Sequence, residues 1–111
     1  MRVWMLAAAQ VLLMPAQTWA GGRCDLDRVI GYQVMAAKPI SGYVQNGVRR
    51  PGYEGCETDR TIVFSDNTGL RCNEVVRQRT DELPTAYVFA NPSGAVKMCV
   101  EGELIDMTRS N

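Results

Sequence analysis

Four cysteines limit the chemistry available to this chain more directly than any other residues. They stand at Cys24, Cys56, Cys72 and Cys99. No two of them form a C-x-x-C pair, which excludes a thioredoxin-like redox centre. Their wide and irregular gaps also differ from the close ligand pairs of structural zinc sites. We therefore predict that the four cysteines form two structural disulfides.

The chain contains no histidine, the usual base of serine and cysteine hydrolases. Carboxylates are then the remaining catalytic groups, and Glu54, Glu57 and Asp59 form the densest set. A glycosidase needs two carboxyl groups facing each other across a sugar-binding cleft, which a domain of this size rarely forms. We therefore predict no catalytic residue, no cofactor and no metal site, and we expect that the protein is not an enzyme.

The disulfide connectivity has three possible forms for four cysteines. A predicted hairpin over 60–73 places residue 72 opposite roughly residue 61. Cys56 would then have to leave that ladder early to come within about 4.4–6.8 Å of Cys72, measured between Cα atoms. The sequence therefore favours Cys24–Cys56 with Cys72–Cys99, while the other two pairings remain open.

The segment 42–56, "GYVQNGVRRPGYEGC", is the candidate binding surface. Its Asn46-Gly47 dipeptide is typical of a type I′ hairpin turn, but its flanks are polar, so we predict a long loop with one short strand. Tyrosine and arginine are enriched in interaction hot spots. The candidate binding residues are Tyr43, Arg49, Arg50 and Tyr53. The alternative is a plain connecting loop tethered at Cys56.

Residues 1–20 have the layout of a secretory signal peptide. Arg2 precedes an apolar run over 3–14, and Ala20 supplies the small residue before the cleavage point. Cleavage after Gly22 is the alternative. The apolar run is shorter than the roughly 20 residues that span a bilayer. The sequence therefore predicts a periplasmic or secreted protein with no integral membrane segment in the mature chain.

The mature chain, residues 21–111, is predicted to be one small domain. Arg23 precedes Cys24, and this does not suit lipid attachment, so we expect Cys24 to tie the N-terminus to the domain by a disulfide. A domain of about 90 residues buries only about 60–65 % of its unfolded surface. Disulfides are therefore expected to supply part of its stability.

Short apolar runs separated by turn residues predict an all-β fold. The expected architecture is a five- or six-stranded antiparallel meander, either closed into a small barrel or folded as a twisted sheet. Residues 37–42 are predicted to be a turn because of Pro39 and Gly42, and 74–83 fits either a helix or a strand. The predicted strands are 28–35, 60–64, 69–73, 85–89, 95–100 and 104–107.

The charge balance argues against binding to nucleic acid. The chain has 12 basic and 12 acidic residues, and loss of Arg2 with the signal peptide leaves 11 basic residues. Such a chain has no electrostatic footprint for nucleic acid or for an anionic membrane. We expect a non-enzymatic binding module that recognises a protein or a cell-envelope component. The alternatives are an inhibitor of a hydrolase and an accessory or structural subunit of an envelope complex, and the sequence leaves the oligomeric state open.

Overall fold

A computed structural model describes Cys24 and residues 26–110, and seven β-strands account for about half of these residues. The predicted signal peptide lies outside the described residues. A short 3₁₀ helix, Leu26–Val29, precedes the strands. The strands are β1 Gln33–Gln45, β2 Val48–Pro51, β3 Arg60–Phe64, β4 Gly69–Cys72, β5 Thr85–Ala90, β6 Val96–Val100 and β7 Glu103–Arg109.

Six of the strands close into an antiparallel barrel, which confirms the all-β prediction. The sheet order is β2-β1-β3-β4-β7-β6-β5, and an additional β1–β5 pairing completes the circle. The 13-residue strand β1 makes closure possible because it changes partner along its length. Its first part pairs with β5 from Gln33 to Pro39, and its second part pairs with β3 from Ile40 to Gln45. Strand β2 lies outside the closed circle.

The barrel interior is filled from alternate positions of each strand, as a pleated sheet requires. The largest fully buried side chains are Phe64, Phe89, Ile40, Ile62, Met98, Ile105 and Val100. Of these, all but Phe89 belong to the main core cluster. Strands β5, β6 and β7 therefore each direct one parity of apolar side chains into the barrel, among them Val88, Met98 and Ile105.

A second apolar cluster covers the outside of β5, β6 and β7. It joins Cys24 and Val29 of the N-terminal segment to Phe89, Cys99 and Leu104. The Cys24–Cys99 disulfide fixes this segment to β6 with a Cα–Cα distance of 6.1 Å. The expectation that Cys24 ties down the N-terminus is thus confirmed, although its partner is not the one that the sequence favoured.

The favoured disulfide connectivity was wrong. The observed bonds are Cys24–Cys99 and Cys56–Cys72. In the β3–β4 ladder Thr61 stands opposite Arg71, so Cys72 does lie opposite the start of β3 and not opposite Cys56. The chain leaves that ladder before β3, because a turn closed by the hydrogen bond from Arg60 N–H to Glu57 C=O folds Cys56 back. The Cys56 and Cys72 Cα atoms then lie 5.6 Å apart.

The predicted turn at 37–42 was also wrong, because β1 runs through it. Pro39 pairs with Thr85 at the last position of the β1–β5 ladder, where β1 exchanges β5 for β3. A residue without an N–H is tolerated at such a strand junction. A Cβ on Gly42 would lie 2.5 Å from the Arg50 carbonyl oxygen. Glycine therefore allows β2 to approach β1 closely, and it does not break the strand.

The segment between β4 and β5 is neither the helix nor the strand that its sequence allowed. Residues 73–84 are mostly irregular, with one isolated antiparallel bridge between Val76 and Cys56. Backbone hydrogen bonds of 2.8 and 3.0 Å join these two residues in both directions. No helix within the described residues is long and apolar enough to cross a membrane.

Gly55→Ala is expected to destabilise the protein by about 3 kcal/mol. Gly55 has a φ of +83°, and an added Cβ would lie 2.2 Å from the Val76 carbonyl oxygen and 2.8 Å from the Gln78 nitrogen. Gly94→Ala is the matched control, because Gly94 has a φ of +96° and no atom within 4 Å of the added Cβ. The control retains only the left-handed backbone cost of about 1–2 kcal/mol. Urea unfolding measures both values, and equal losses would contradict this close packing.

Candidate functional site

The predicted loop at 42–56 is largely a β-hairpin followed by a short connection. Asn46 and Gly47 form a two-residue turn with φ values of 53° and 80°, as a type I′ turn requires. The hairpin pairs β1 with β2 from Gln45↔Val48 to Gly42↔Pro51. The polar flanks that argued against a hairpin are exposed on β2, where polar residues carry no desolvation cost.

The hairpin separates the four candidate binding residues. Tyr43 stands opposite Arg50 and Val44 stands opposite Arg49, so the two arginines project from opposite faces of β2. Both arginines are exposed. Tyr43 and Tyr53 are each only 5 % exposed and belong to the main core. The part of the segment available to a partner is therefore β2 itself, where Val48 is 51 % exposed.

Arg60 holds the base of this hairpin in place from inside the barrel. It is 6 % exposed, and its guanidinium lies 4.3 Å from the centroid of the Tyr43 ring. Its Nε donates to the Gln45 side-chain oxygen at 2.7 Å. Its Nη1 donates to the carbonyl oxygens of Glu54 and Gly55 at 3.2 and 3.1 Å. One buried cation thus joins β1, β3 and the connection that follows β2.

Tyr53 provides a second anchor for the same connection. Its hydroxyl hydrogen-bonds to the Gln78 side-chain oxygen, and the Gln78 amide donates to the Val100 carbonyl oxygen at 2.8 Å. Burial raises the pKa of the Tyr53 phenol above its usual range. Tyr53 therefore remains a neutral hydrogen-bonding group that links the 52–57 connection to the 73–84 segment.

The carboxylates that cluster in the sequence occupy an ion pair, a turn and the border of a groove. Glu57 lies 3.8 Å from the Arg60 guanidinium, and Asp59 occupies a turn with a φ of 65°. Glu54 and Glu57 border an open polar groove that Arg77, Gln78 and Arg79 also line. Within the part of the chain that the structure describes, no three histidine, cysteine or acidic side chains come together as a metal site.

The opposite end of the barrel is open. Residues of β1, β3, β4, β5, β6 and β7, together with Thr68 and Ser110, line a cavity of about 380 Å³, which we call the barrel mouth. Its wall comes from inward-facing positions near the ends of the strands, and small residues such as Ala36 and Ala90 leave the space unfilled. The side chains that line it include Ala36, Lys38, Phe64, Leu70, Ala90, Val96 and Arg109.

Two cationic side chains lie at the mouth, and they differ in whether a described acidic side chain neutralises them. Lys38 Nζ lies 3.0 Å from an Asp66 carboxylate oxygen and donates to the Thr68 hydroxyl at 2.8 Å. The Thr68 hydroxyl and backbone N–H both hydrogen-bond to Asp66. Those Thr68 bonds, followed by Lys38, lower the pKa of Asp66 to about 2. Lys38 is therefore neutralised, whereas Arg109 has no side-chain ion pair or hydrogen bond with any other described residue.

Sequence reasoning missed the barrel mouth, although one signal for it was present. Ile105, Met107 and Arg109 share one parity of β7, and the first two are buried. A charged residue that continues an apolar parity at the end of a strand indicates an inward position at an open rim. Recognising that rim also requires knowing that six strand ends meet there, and no single strand contains that information.

Comparison of the chain with protein-family models, with characterised proteins and with solved structures found no match. The fold itself therefore defines the class. The chain is a small, six-stranded antiparallel β-barrel with one additional strand and two disulfides. The described residues include no free cysteine, a pattern consistent with an oxidising compartment.

Proposed function

We propose that the protein is a non-enzymatic binding module of the periplasm or the secreted fluid, and that it engages a protein or cell-envelope component through β2. One observation carries this proposal: β2 lies outside the closed barrel, and all four of its residues are exposed. The other six strands close the barrel by pairing among themselves, so β2 contributes nothing to its closure. A strand held outside a core in this way is available to a partner.

The charges on β2 favour a partner that carries acidic groups. Neither Arg49 nor Arg50 has a side-chain ion pair or hydrogen bond with another described residue. Their guanidinium groups can therefore form bidentate hydrogen bonds with carboxylates or phosphates. Because they project from opposite faces, we infer that the partner surrounds the strand on both sides. The Arg60 contacts at the base of the hairpin reduce the entropy lost when the strand is ordered on binding.

The same geometry bears on the two alternatives. An inhibitor would insert the hairpin into the cleft of a hydrolase, and a disulfide-bonded scaffold suits that role. An accessory subunit would add the edge of β2 to a partner's sheet. Edge pairing is disfavoured because β2 has four residues, two of them arginines, and ends at Pro51, features that protect edge strands. Recognition through the arginine side chains is therefore the version that we favour.

A photo-crosslinking amino acid at position 48 tests the proposal in the native compartment. Val48 is exposed, directly precedes Arg49 and lies on the same face of β2 as Arg50, so we expect one defined covalent adduct. Arg49→Ala with Arg50→Ala should reduce the adduct yield at least tenfold, because two charge-assisted contacts are removed. The matched control is Arg28→Ala with Arg71→Ala, which removes the same charge from exposed positions outside β2. The control should retain the adduct, and both variants should keep the wild-type melting temperature.

Two outcomes would overturn this proposal. One is an adduct whose yield is the same in the Arg49 and Arg50 double variant as in the control. The other is the absence of any specific adduct from position 48 in cells that express the protein. Among supporting results, the identity of the adduct distinguishes the alternatives: a hydrolase indicates an inhibitor, and an assembled envelope complex indicates an accessory subunit.

A further inference from the structure

The barrel mouth has the composition of a ligand site, independently of β2. We propose that it binds an amphiphile made of an apolar chain and an anionic head group, with the chain in the apolar cavity and the head group against Arg109. The proposal depends on three features of the mouth: an unfilled apolar interior, one neutralised cation and one available cation.

The interior of the mouth suits an alkyl chain. Its deep wall is formed by Phe64, Leu70 and Val96, which are 1 %, 7 % and 2 % exposed. The volume of about 380 Å³ lies near the lower end of the range of small-molecule sites, about 300–1,000 Å³. Small barrels are normally filled by their own side chains. Here Ala36 and Ala90 face the cavity, and the space that larger residues would occupy is left to a ligand.

The charges at the rim select an anionic head group. Asp66 is held by Thr68 and neutralises Lys38, so this pair adds no net charge. Arg109 ends β7 on its inward parity, lines the mouth and is exposed. Among the described residues, Arg109 is the one cation of the rim that no other side chain neutralises, and it borders the apolar cavity. A guanidinium group matches the two oxygens of a carboxylate in geometry as well as in charge.

The chemistry of an apolar chain with an anionic head has two sources. One is a free fatty acid, and the other is an anionic phospholipid of the cell envelope. The mouth recognises the features that both share. This proposal does not rest on the function proposed for β2, because the mouth lies at the barrel end formed by the turns 65–68 and 91–95, whereas β2 projects from the far part of β1.

Titration of ¹⁵N-labelled protein with decanoate, kept below its critical micelle concentration, tests the proposal. We expect saturable shifts of the amide signals of Ala36, Gly69, Ala90 and Val96. Arg109→Ala should weaken decanoate binding about fivefold, while binding of decan-1-ol should be the same in the variant as in the wild type. Arg71→Ala is the matched control, because Arg71 lies exposed on the outward parity of β4, and it should leave the affinity for decanoate unchanged.

A second variant tests the cavity itself. Ala36 lines the mouth and is only partly buried, so Ala36→Leu fills the cavity without overpacking the core. This change should weaken decanoate and decan-1-ol equally, by about tenfold. Decanoate shifts that are absent or spread over the outer surface would overturn the proposal. Equal affinities of the wild type, Arg109→Ala and Ala36→Leu would overturn it as well.

Vesicles distinguish the two sources of the ligand. Phosphatidylglycerol vesicles that bind the wild type, compete with decanoate and lose binding with Arg109→Ala would identify a lipid acyl chain as the ligand. Phosphatidylglycerol vesicles without effect on decanoate binding would identify a free carboxylate. Either result supports the site, whereas vesicle binding that is unchanged in both Arg109→Ala and Ala36→Leu would place lipid contact elsewhere and overturn the lipid version.

Discussion

We expect the replacement of Cys24 and Cys99 together by alanine to lower the free energy of unfolding by about 4.5 kcal/mol, the value that the loop-entropy model assigns to a cross-link across 75 residues. The same replacement of Cys56 and Cys72, which are 16 residues apart, costs about 3 kcal/mol. Domains of this size have roughly 5–15 kcal/mol of stability in total. Urea unfolding followed by far-UV circular dichroism measures both losses, and we expect the variant without both disulfides to be unfolded at 37 °C.

The order of these two losses is the informative result. The Cys24–Cys99 bond closes the longer loop, but it joins a short N-terminal segment to the outside of the barrel through the cluster of Val29, Phe89 and Leu104. A loss below about 1 kcal/mol would mean that this segment does not belong to the cooperative unit of the barrel. It would contradict the expected contribution of the outer cluster to the stability of the fold.

Tryptic digestion without reduction provides the control for the connectivity. Arginine or lysine residues separate the four cysteines along the chain, so each cysteine falls in a different tryptic peptide. Trypsin does not cleave after Arg50, because proline follows it. We expect the peptide 24–28 to be linked to 98–109, and the peptide 50–60 to be linked to 72–77. A link between 24–28 and 50–60 would restore the pairing that the sequence alone favours.

Arg60→Ala is the single substitution with the largest expected effect, a loss of about 3 kcal/mol or more in the free energy of unfolding. It removes the guanidinium that lies against Tyr43 and leaves the buried Gly55 carbonyl oxygen without its donor. Arg60→Lys retains the charge but cannot reproduce the three separate hydrogen bonds, so it should recover only part of the loss. Denaturant unfolding with the linear extrapolation method measures both.

Arg71→Ala is the control for Arg60, because Arg71 pairs directly across β3–β4 with Thr61 and is exposed. Its removal should change the stability by no more than about 0.5 kcal/mol. Amide hydrogen exchange adds a local readout: Arg60→Ala should accelerate exchange in the 52–57 connection more than in β6. A loss below about 1 kcal/mol with Arg60→Ala would show that the hairpin base is held by the Cys56–Cys72 disulfide and Tyr53 alone.

The two proposed sites lie at different parts of the molecule and use arginine in different ways. Arg49 and Arg50 project from a strand outside the barrel, where they face solvent on both sides. Arg109 stands at the rim of an apolar cavity. Arg60, by contrast, is buried and fully engaged. The function of each arginine therefore depends on its position on the barrel, and residue type alone did not distinguish them.

The sequence by itself determined the features that depend on neighbouring residues. Alternation of apolar residues and the turn residues between them predicted the hairpin formed by β3 and β4, the hairpin formed by β5 and β6, and the strand β7. These hairpins join strands that are adjacent in sequence, so local pattern and turn chemistry are sufficient to specify them. The number of cysteines likewise predicted two disulfides.

Tertiary structure decided the features that join distant parts of the chain. Strand β1 passes through Pro39 and Gly42 because it changes partner there and closes the barrel with β5. Cys56 reaches Cys72 because a turn at 57–60 leaves the ladder, and local register gives no sign of this. Tyr43 and Tyr53 are core residues because partners distant in the chain contact them: the buried Arg60 guanidinium lies over the Tyr43 ring, and the Gln78 side chain hydrogen-bonds to the Tyr53 hydroxyl. The physical reason is common to all three: non-local contacts depend on how the sheet closes, and closure is a property of the whole barrel.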